Sequence, residues 1–286
     1  MSRRIPVVVA VVAALLTGCQ PDTVELRYRP VAGSRYIYRI VVHSRTVTTL
    51  DSQAPKEEVD EATLRAEHLV QRSDADGTDV EVRLTSVATD AGLLGVIGGT
   101  GGGPVDGPVG SPSTFLVRLD RAAQLTEVQR VEGVDAQLLG DLGLSEIFPA
   151  AAGAPPDRPL HPGDSWEIDE PLRLAGLAPG HLRGRGRLVS LGVQDGRKIA
   201  TVDTDADLAI RPDEVTLGKA GGVALTGTQT TRARVTRDVV DGAVQTVDAT
   251  TTAVFRIILL PPPGALGPPV TGTLRVELHS LTTREI

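Results

Sequence analysis

Apolar and polar residues alternate along most of the chain with a period of two, which is typical of strands that bury one face and expose the other. The longest runs are "RYIYRIVVHSRTVTTL", "ATLRAEHLVQR" and "TDVEVRLTSVA" in the first half, and "RKIATVDTDADLAI", "TRARVTRDVV" and "AVQTVDATTTAVFRIILL" in the second. This pattern predicts a mainly β fold, an antiparallel meander of about ten to twelve long strands arranged as a sandwich or a half-barrel.

Three Asp-Gly pairs lie between facing strand runs, at 76–77, 195–196 and 241–242. Asp-Gly favours the positive φ angles of tight hairpin turns, so each pair is predicted to be the apex of a hairpin. The strands on either side of each pair are therefore expected to be antiparallel.

One segment departs from the strand pattern. "GVDAQLLGDLGLSEIFPA" places Val134, Leu138 and Leu142 at helical spacing, with Asp135 at its start and Pro149 at its end. A Pro- and Gly-rich stretch, "AAAGAPPDRPLHPG", follows and is the best candidate for an internal boundary. We expect one short helix between two β units.

A short internal echo supports two related units. "RPVAGSRYIY" and "RPLHPGDSWEI" each place a Gly three residues before a large aromatic that begins a strand, Tyr36 in one and Trp166 in the other. The two segments resemble uncharacterised bacterial envelope proteins in which a "P-x-x-x-G-x-x-[YW]" element opens each β unit, and that resemblance implies no known activity.

The sequence is predicted to divide into five parts. They are a signal peptide at 1–18, a short tether at 19–23, a first β unit at 24–132, a helix and Pro/Gly-rich connection at 133–157, and a second β unit at 158–286.

The N-terminus has the three-part layout of a secretory signal. Arg3 and Arg4 precede an apolar run at 5–16, and the small residues Thr17 and Gly18 follow it. Twelve helical residues rise about 18 Å, well short of the roughly 30 Å hydrocarbon core of a bilayer. The run is therefore not expected to remain as a permanent membrane span.

The end of this signal, Leu16-Thr17-Gly18-Cys19, resembles the lipobox of bacterial lipoproteins. The resemblance implies that the Cys19 sulfur takes a diacylglycerol and that cleavage between Gly18 and Cys19 makes Cys19 the first mature residue. Cys19 is the only cysteine of the chain, so it cannot form an intrachain disulfide. We expect an exported protein that is lipid-anchored to the cell membrane or outer membrane, with its body in the periplasm or outside the cell.

The charge and the aromatic content of the chain limit the classes of partner that it is expected to bind. Residues 1–18 contain two arginines, so the chain from Cys19 onward has 27 basic and 36 acidic residues, a net charge of −9. This charge argues against binding nucleic acid, and an aromatic content of 2% leaves few faces on which bases or sugars stack. The expected partners are the membrane, through the lipid on Cys19, and an envelope protein or a lipid.

An aspartate series is the strongest candidate for a metal site. Asp203, Asp205 and Asp207, with Glu214, match the carboxylate spacing of a calcium loop, but Leu208 stands where the loop needs Gly. We interpret the series as the solvated face of a strand, with a weak cation site as the alternative. No cofactor is predicted.

Other candidate chemistry is weaker. Gly163-Asp164-Ser165-Trp166 resembles the opening block of the GDS-type esterases, which implies a nucleophilic Ser165. That family also needs an Asn and a late Asp-x-x-His, and the sequence contains neither.

The five histidines are scattered along the chain, at His43, His68, His161, His181 and His279, so a zinc site would have to be assembled by the fold. Arginines at 183, 185 and 187 share one strand face, where they either contact an anionic headgroup or pair with the aspartates.

Taken together, the sequence features favour a membrane-anchored envelope lipoprotein with a non-catalytic binding or scaffold role, and no enzyme activity is expected. The alternative is a carrier that holds a lipid or another apolar ligand inside a β half-barrel, and the second alternative is an unrecognised hydrolase. A carrier needs a contiguous apolar cavity, whereas a scaffold has a filled core and an enzyme has a pocket of converging titratable groups.

Overall fold

The computed structural model describes residues 23–51, 53–89, 113–132, 155–172, 180–210, 216–218, 221–261 and 268–285. This part of the chain forms twelve strands: β1 Arg35–Leu50, β2 Lys56–Ser73, β3 Thr78–Thr89, β4 Ser113–Leu119, β5 Leu125–Glu132, β6 Ser165–Leu172, β7 Gly180–Gln194, β8 Arg197–Ile210, β9 Thr216–Gly218, β10 Gly221–Asp238, β11 Val244–Leu260 and β12 Val270–Glu285. The predicted mainly β meander is confirmed. The helix predicted after residue 133 lies outside the described residues.

All twelve strands belong to one antiparallel sheet. Eleven follow the order β5-β4-β3-β2-β1-β12-β11-β10-β8-β7-β6, and the short β9 pairs with β10. Strands before and after the chain midpoint therefore occupy separate halves of the sheet. The halves meet where β1 pairs with β12, in a register that runs from Ile37 opposite Glu285 to Leu50 opposite Gly272.

The turns before β1 and β6 are built alike. Gly33 and Gly163 both have positive φ, 85° and 99°, which favours glycine. Each donates its N–H to the strand paired with the one it opens, to the carbonyl of Val70 at 2.8 Å and of Leu188 at 2.7 Å. The same two partner residues donate back, at 2.9 Å, to the residue after each glycine. The sequence pattern that precedes both Tyr36 and Trp166 thus corresponds to one local structure that occurs twice.

Each Asp-Gly pair lies at a hairpin apex, as predicted, but the turns differ. Asp195 and Gly196 both have positive φ, 52° and 75°, as a two-residue hairpin turn of type I′ requires. In the β10–β11 turn only Gly242 does. The β2–β3 turn is held instead by Asp74, whose carboxylate accepts the N–H groups of residues 76 and 77 at 2.9 and 3.1 Å.

The sheet is strongly curved. Arg237, at the end of β10, donates both guanidinium Nη atoms to the carbonyl of Ala122 in the β4–β5 turn, at 3.2 and 3.3 Å. These residues lie on strands separated by five others in the sheet order, so the sheet must curl to bring them together. Burial lowers the pKa of Arg237 to about 10. The face that carries Arg237 is called the inner face, and the opposite one the outer face.

The N-terminal segment 23–34 crosses one end of this curved sheet, called here the closed end. Val24 exchanges two backbone hydrogen bonds of 2.9 Å with Leu160, and Tyr28 donates its N–H to the carbonyl of Arg121 at 2.6 Å. The turns β2–β3, β4–β5, β7–β8 and β10–β11 lie at the same end. The other end, where β1 ends at Leu50 and β12 begins, is called the open end.

The main hydrophobic core fills the inner face near the closed end. All three tyrosines of the chain, Tyr28, Tyr36 and Tyr38, are buried there, together with Phe115 and Ile40. The Tyr36 hydroxyl donates to Asp241 at 2.9 Å, and burial is the main cause of its raised pKa. Each large apolar side chain buried here stabilises the fold by about 1.5–3 kcal/mol.

Candidate functional site

A separate apolar cluster lies on the inner face near the open end and is called here the inner wall. It comprises the buried residues Leu208, Ile210, Ala253 and Phe255 and the half-buried residues Leu182, Leu274 and Val276. The alternation of β7, β8, β11 and β12 brings these side chains to the inner face. The inner wall shares no residue with the main core at the closed end.

Burial of the inner face decreases towards the open end along β12 and β1, whereas Ile210 of β8 and Phe255 of β11 stay buried. Along β12, Thr282 and Ser280 are 4% and 7% exposed, whereas Leu278, Val276 and Leu274 are only half-buried. β1 shows the same trend from Ile40, which is fully buried, to Thr48, which is half-buried. The described residues therefore leave part of the apolar inner wall accessible at the open end.

Polar residues of β1 and β2 continue the inner face beside the inner wall. Ser44 pairs with Leu278 of β12 on one side and with Asp60 of β2 on the other, and Thr46 is likewise opposite Glu58. Asp60 is 5% exposed, and its pKa is raised first by burial and then by the charge of Glu58. One side of the concave surface is thus apolar, and the other is polar with a buried carboxyl group.

Asp60→Asn is expected to raise the free energy of unfolding near neutral pH and to lose this effect in acid. Because the folded-state pKa of Asp60 is raised, the folded protein binds the proton more tightly than the unfolded chain does. Stability from this group is therefore present below its unfolded pKa and is lost as the pH rises through its folded pKa. Urea unfolding of wild type and Asp60→Asn across this pH range measures the difference. Equal stability at every pH would contradict a buried, destabilising carboxylate.

The aspartate series lies on the outer face of β8, and each member contacts β10. Asp203 accepts two hydrogen bonds from Arg234, at 2.7 and 2.8 Å, and Asp205 accepts one from Arg232 at 3.1 Å. Asp207 accepts from the Thr230 hydroxyl at 2.6 Å. The Arg234 hydrogen bonds are the main reason why the pKa of Asp203 is lowered.

The three arginines of β7 lie opposite the same aspartates, across the other edge of β8. Arg183 is 3.8 Å from Asp169. In the described part of the chain, Arg185 and Arg187 are not within ion-pair distance of a carboxylate. Both line a shallow outer-face depression of about 480 Å³ together with the β8 and β10 charges. The aspartates thus pair mainly with β10 rather than with β7.

The fold brings two of the five histidines together. His43 of β1 is directly opposite His279 of β12 on the outer face, with ring centroids 6.4 Å apart and nearly parallel planes. His68 is buried against Tyr38, while His161 and His181 each lie beside an aspartate. Among the described residues, no group of three or more His, Cys, Asp or Glu has the geometry to hold a metal ion.

The segment that resembles an esterase block forms the turn before β6. Asp164 accepts the N–H of His161 at 3.0 Å and also lies 3.3 Å from Arg158, and these contacts lower the pKa of its carboxyl. Asp164 is thus a side chain that bonds to the backbone of this turn. Ser165 is exposed at the first position of the strand.

The predicted lipidation site, Cys19, and the predicted cleavage site between Gly18 and Cys19 lie outside the described residues, so both stay predictions from the sequence. No helix in the described ranges is both long and apolar enough to cross a membrane.

Comparison with known proteins leaves the chain without a family. No family model matches it, and no curated protein matches it. A triple mutant of the Rh. blastica porin covers 88% of this chain and 100% of its own, at 7% identity and a TM-score of 0.23. Pseudomonas aeruginosa OccK11 (OpdR) covers 92% of this chain and 99% of its own, at 9% identity and a TM-score of 0.20. Likenesses this low carry no argument about function.

Sequence patterns did not identify the inner wall or the His43–His279 pair. The signal for the inner wall is present as alternating apolar positions in four strands, but the pattern does not say which of them share one end of the sheet. The histidine pair depends on the register between β1 and β12, in which His43 and His279 are 236 positions apart in the sequence.

Proposed function

We propose that this chain is an exported, non-catalytic lipoprotein that is anchored through Cys19 and binds an apolar ligand at the open end of its half-barrel. The observation that supports the ligand is the inner wall, an apolar surface that shares no residue with the main core and in which Leu182, Leu274 and Val276 are only half-buried. Ligand sites are concave and mostly apolar, with a few polar groups that orient the ligand, and Ser44, Thr46 and Asp60 lie beside the inner wall on the same face.

The position of the tether sets the orientation of the proposed site. Residues 20–23 span at most about 14 Å, and the fold begins at Val24, which is buried at the closed end. Strands of 14 to 18 residues, such as β8 and β10, extend roughly 45–60 Å from there. A lipid on Cys19 therefore holds the closed end near the membrane, and the open end faces away from it.

This orientation favours exchange of the ligand with a partner or surface away from the anchoring membrane. An apolar molecule that left the anchoring bilayer directly would have to travel the length of the strands to reach the open end. A scaffold without a ligand remains the competing function, since it needs only the curved sheet and its charged outer face.

Native mass spectrometry of the protein, purified from its own membrane in mild detergent, tests the proposal. We expect a non-covalent apolar passenger that organic solvent extracts, and Leu274→Glu should remove it by placing a charge on the inner wall. Thr273→Glu, on the exposed side of the same strand, should retain the passenger. Circular dichroism checks that both variants fold.

Two other outcomes of this experiment would contradict the proposed ligand or its position. A wild-type protein that carries no passenger and takes up none from added lipid favours the scaffold. A passenger that Leu274→Glu retains in full would place the ligand away from the inner wall.

A further inference from the structure

The junction between the two halves of the sheet carries a histidine pair with a distinctive arrangement. His43 and His279 are opposite each other across β1 and β12, and their ring planes differ by only 12°. Their side chains are 52% and 49% exposed on the outer face, so both rings are accessible to a small solute. Only these two of the five histidines face each other in the sheet register.

Each ring is engaged by a carboxylate on one nitrogen only. Glu61 of β2 lies 3.4 Å from His43 Nδ1, and Asp248 of β11 lies 2.9 Å from His279 Nε2. This leaves Nε2 of His43 and Nδ1 of His279 for another partner. Histidines that bind metals commonly donate their second ring N–H to a carboxylate, which orients the ring and raises its basicity. Both rings of the pair have this carboxylate support.

Neighbouring cations do not oppose a metal at this position. Arg45 lies two residues from His43 on the same face of β1, but it is bonded to Glu57 at 2.9 Å and lies 3.6 Å from Glu277. On β12, His279 is flanked on the same face by Glu277 and the apolar Leu281. Arg234 of β10 interacts with Asp248, but four carboxylates, those of Glu57, Glu61, Asp248 and Glu277, outnumber Arg45 and Arg234.

We propose that His43 and His279 form a binding site for a divalent transition-metal ion, with Glu61 and Asp248 as supporting residues. Two imidazole nitrogens are suitable ligands for Cu²⁺, Ni²⁺ and Zn²⁺, and water completes the coordination. Binding of one ion by both rings requires a side-chain rotation that brings the two free nitrogens together.

A metal at this position would join the two halves of the sheet. β1 and β12 are the only strands through which the halves pair in the described sheet, and the two histidines lie near the middle of that pairing. An ion that binds only the folded chain stabilises it in proportion to the logarithm of its free concentration. The site would therefore strengthen the seam between β1 and β12.

Metal titration of the mature lipoprotein in detergent, purified without a histidine tag, tests this proposal. Calorimetry with Cu²⁺, Ni²⁺ and Zn²⁺ should show one ion per chain, with Cu²⁺ bound most tightly of the three. His43→Ala and His279→Ala should each weaken binding by at least about tenfold, and Glu61→Gln by about 10- to 100-fold as a supporting residue. His181→Ala, another outer-face histidine beside an aspartate, should leave the affinity unchanged.

A second readout separates a metal site from a structural role of the pair. The added ion should raise the thermal midpoint of wild type and of His181→Ala, but not that of His43→Ala or His279→Ala. Lowering the pH should release the ion, because protonated imidazole does not bind metal. No binding by wild type, or equal binding by wild type and both pair variants, would overturn the proposal.

Discussion

Replacement of Cys19 by Ser is expected to move nearly all of the protein from the membrane fraction to the soluble exported fraction. The serine hydroxyl cannot replace the sulfur that takes the diacylglycerol. Each acyl methylene buried in a bilayer contributes about 0.8 kcal/mol, so losing ten of them costs about 8 kcal/mol of membrane binding. The net charge of −9 offers no electrostatic attraction to anionic lipid that could replace the anchor.

Fractionation of cells with quantitative immunoblotting measures this change. Gln20→Ser is the matched control, because it alters the neighbouring residue and leaves the sulfur in place. Cys19→Ser protein should keep the wild-type unfolding midpoint, since residue 19 precedes the folded body that begins near Val24. If the serine variant stayed with the membranes through a high-salt wash, an anchor other than Cys19 would hold the protein there.

Gly186→Val is expected to destabilise the fold by about 3 kcal/mol or more. Gly186 of β7 is opposite Trp166 of β6, and a Cβ at residue 186 would overlap the indole ring. The indole is 8% exposed and packs with Leu160 and Leu188 near the closed end. Expelling a buried tryptophan from a core typically costs 3–5 kcal/mol, and partial accommodation would cost about 1–3 kcal/mol.

Gly192→Val provides the control for this prediction in the same strand. A Cβ at residue 192 would meet no atom within 4 Å, so its effect should stay within about 0.5 kcal/mol. Trp166 is the only tryptophan of the chain, so its fluorescence reports directly on this contact. Gly186→Val should shift the emission to longer wavelength. Unchanged emission and unchanged urea midpoint would show that Trp166 does not lie over Gly186.

The strand faces were predictable because burial repeats every second residue. Tyr36, Tyr38 and Ile40 share one face in the sequence, and all three are buried on the inner face. The positions of the hairpin turns were also predictable, because Asp-Gly pairs favour tight turns. Asp203, Asp205 and Asp207 were correctly placed on one strand face for the same reason.

Long-range pairing could not be predicted from these patterns. Alternation fixes which side chains share a face of one strand, but it does not specify which strand lies beside it or in which register. The pairing of β1 with β12, and with it the His43–His279 pair, depends on such a choice. The partners of the aspartates show the same limit, because the sequence offers arginines on both neighbours of β8 and the fold uses those of β10.

The curvature of the sheet likewise could not be predicted from the alternation of apolar and polar residues. Arg237 sits at an inward-facing position of β10, and the sequence does not show that the β4–β5 turn comes within hydrogen-bond distance of it. The inner wall follows from the same curvature, since a flat sheet would have no concave surface near Leu274 and Phe255.

Mass spectrometry of the mature N-terminus, on protein purified from its native membrane, tests the central claim that a lipid on Cys19 anchors an exported β body. We predict that the chain begins at Cys19 and that its N-terminal peptide carries the mass of a diacylglycerol. A chain that retains Met1, or one that begins at Cys19 with a free thiol, would contradict this account.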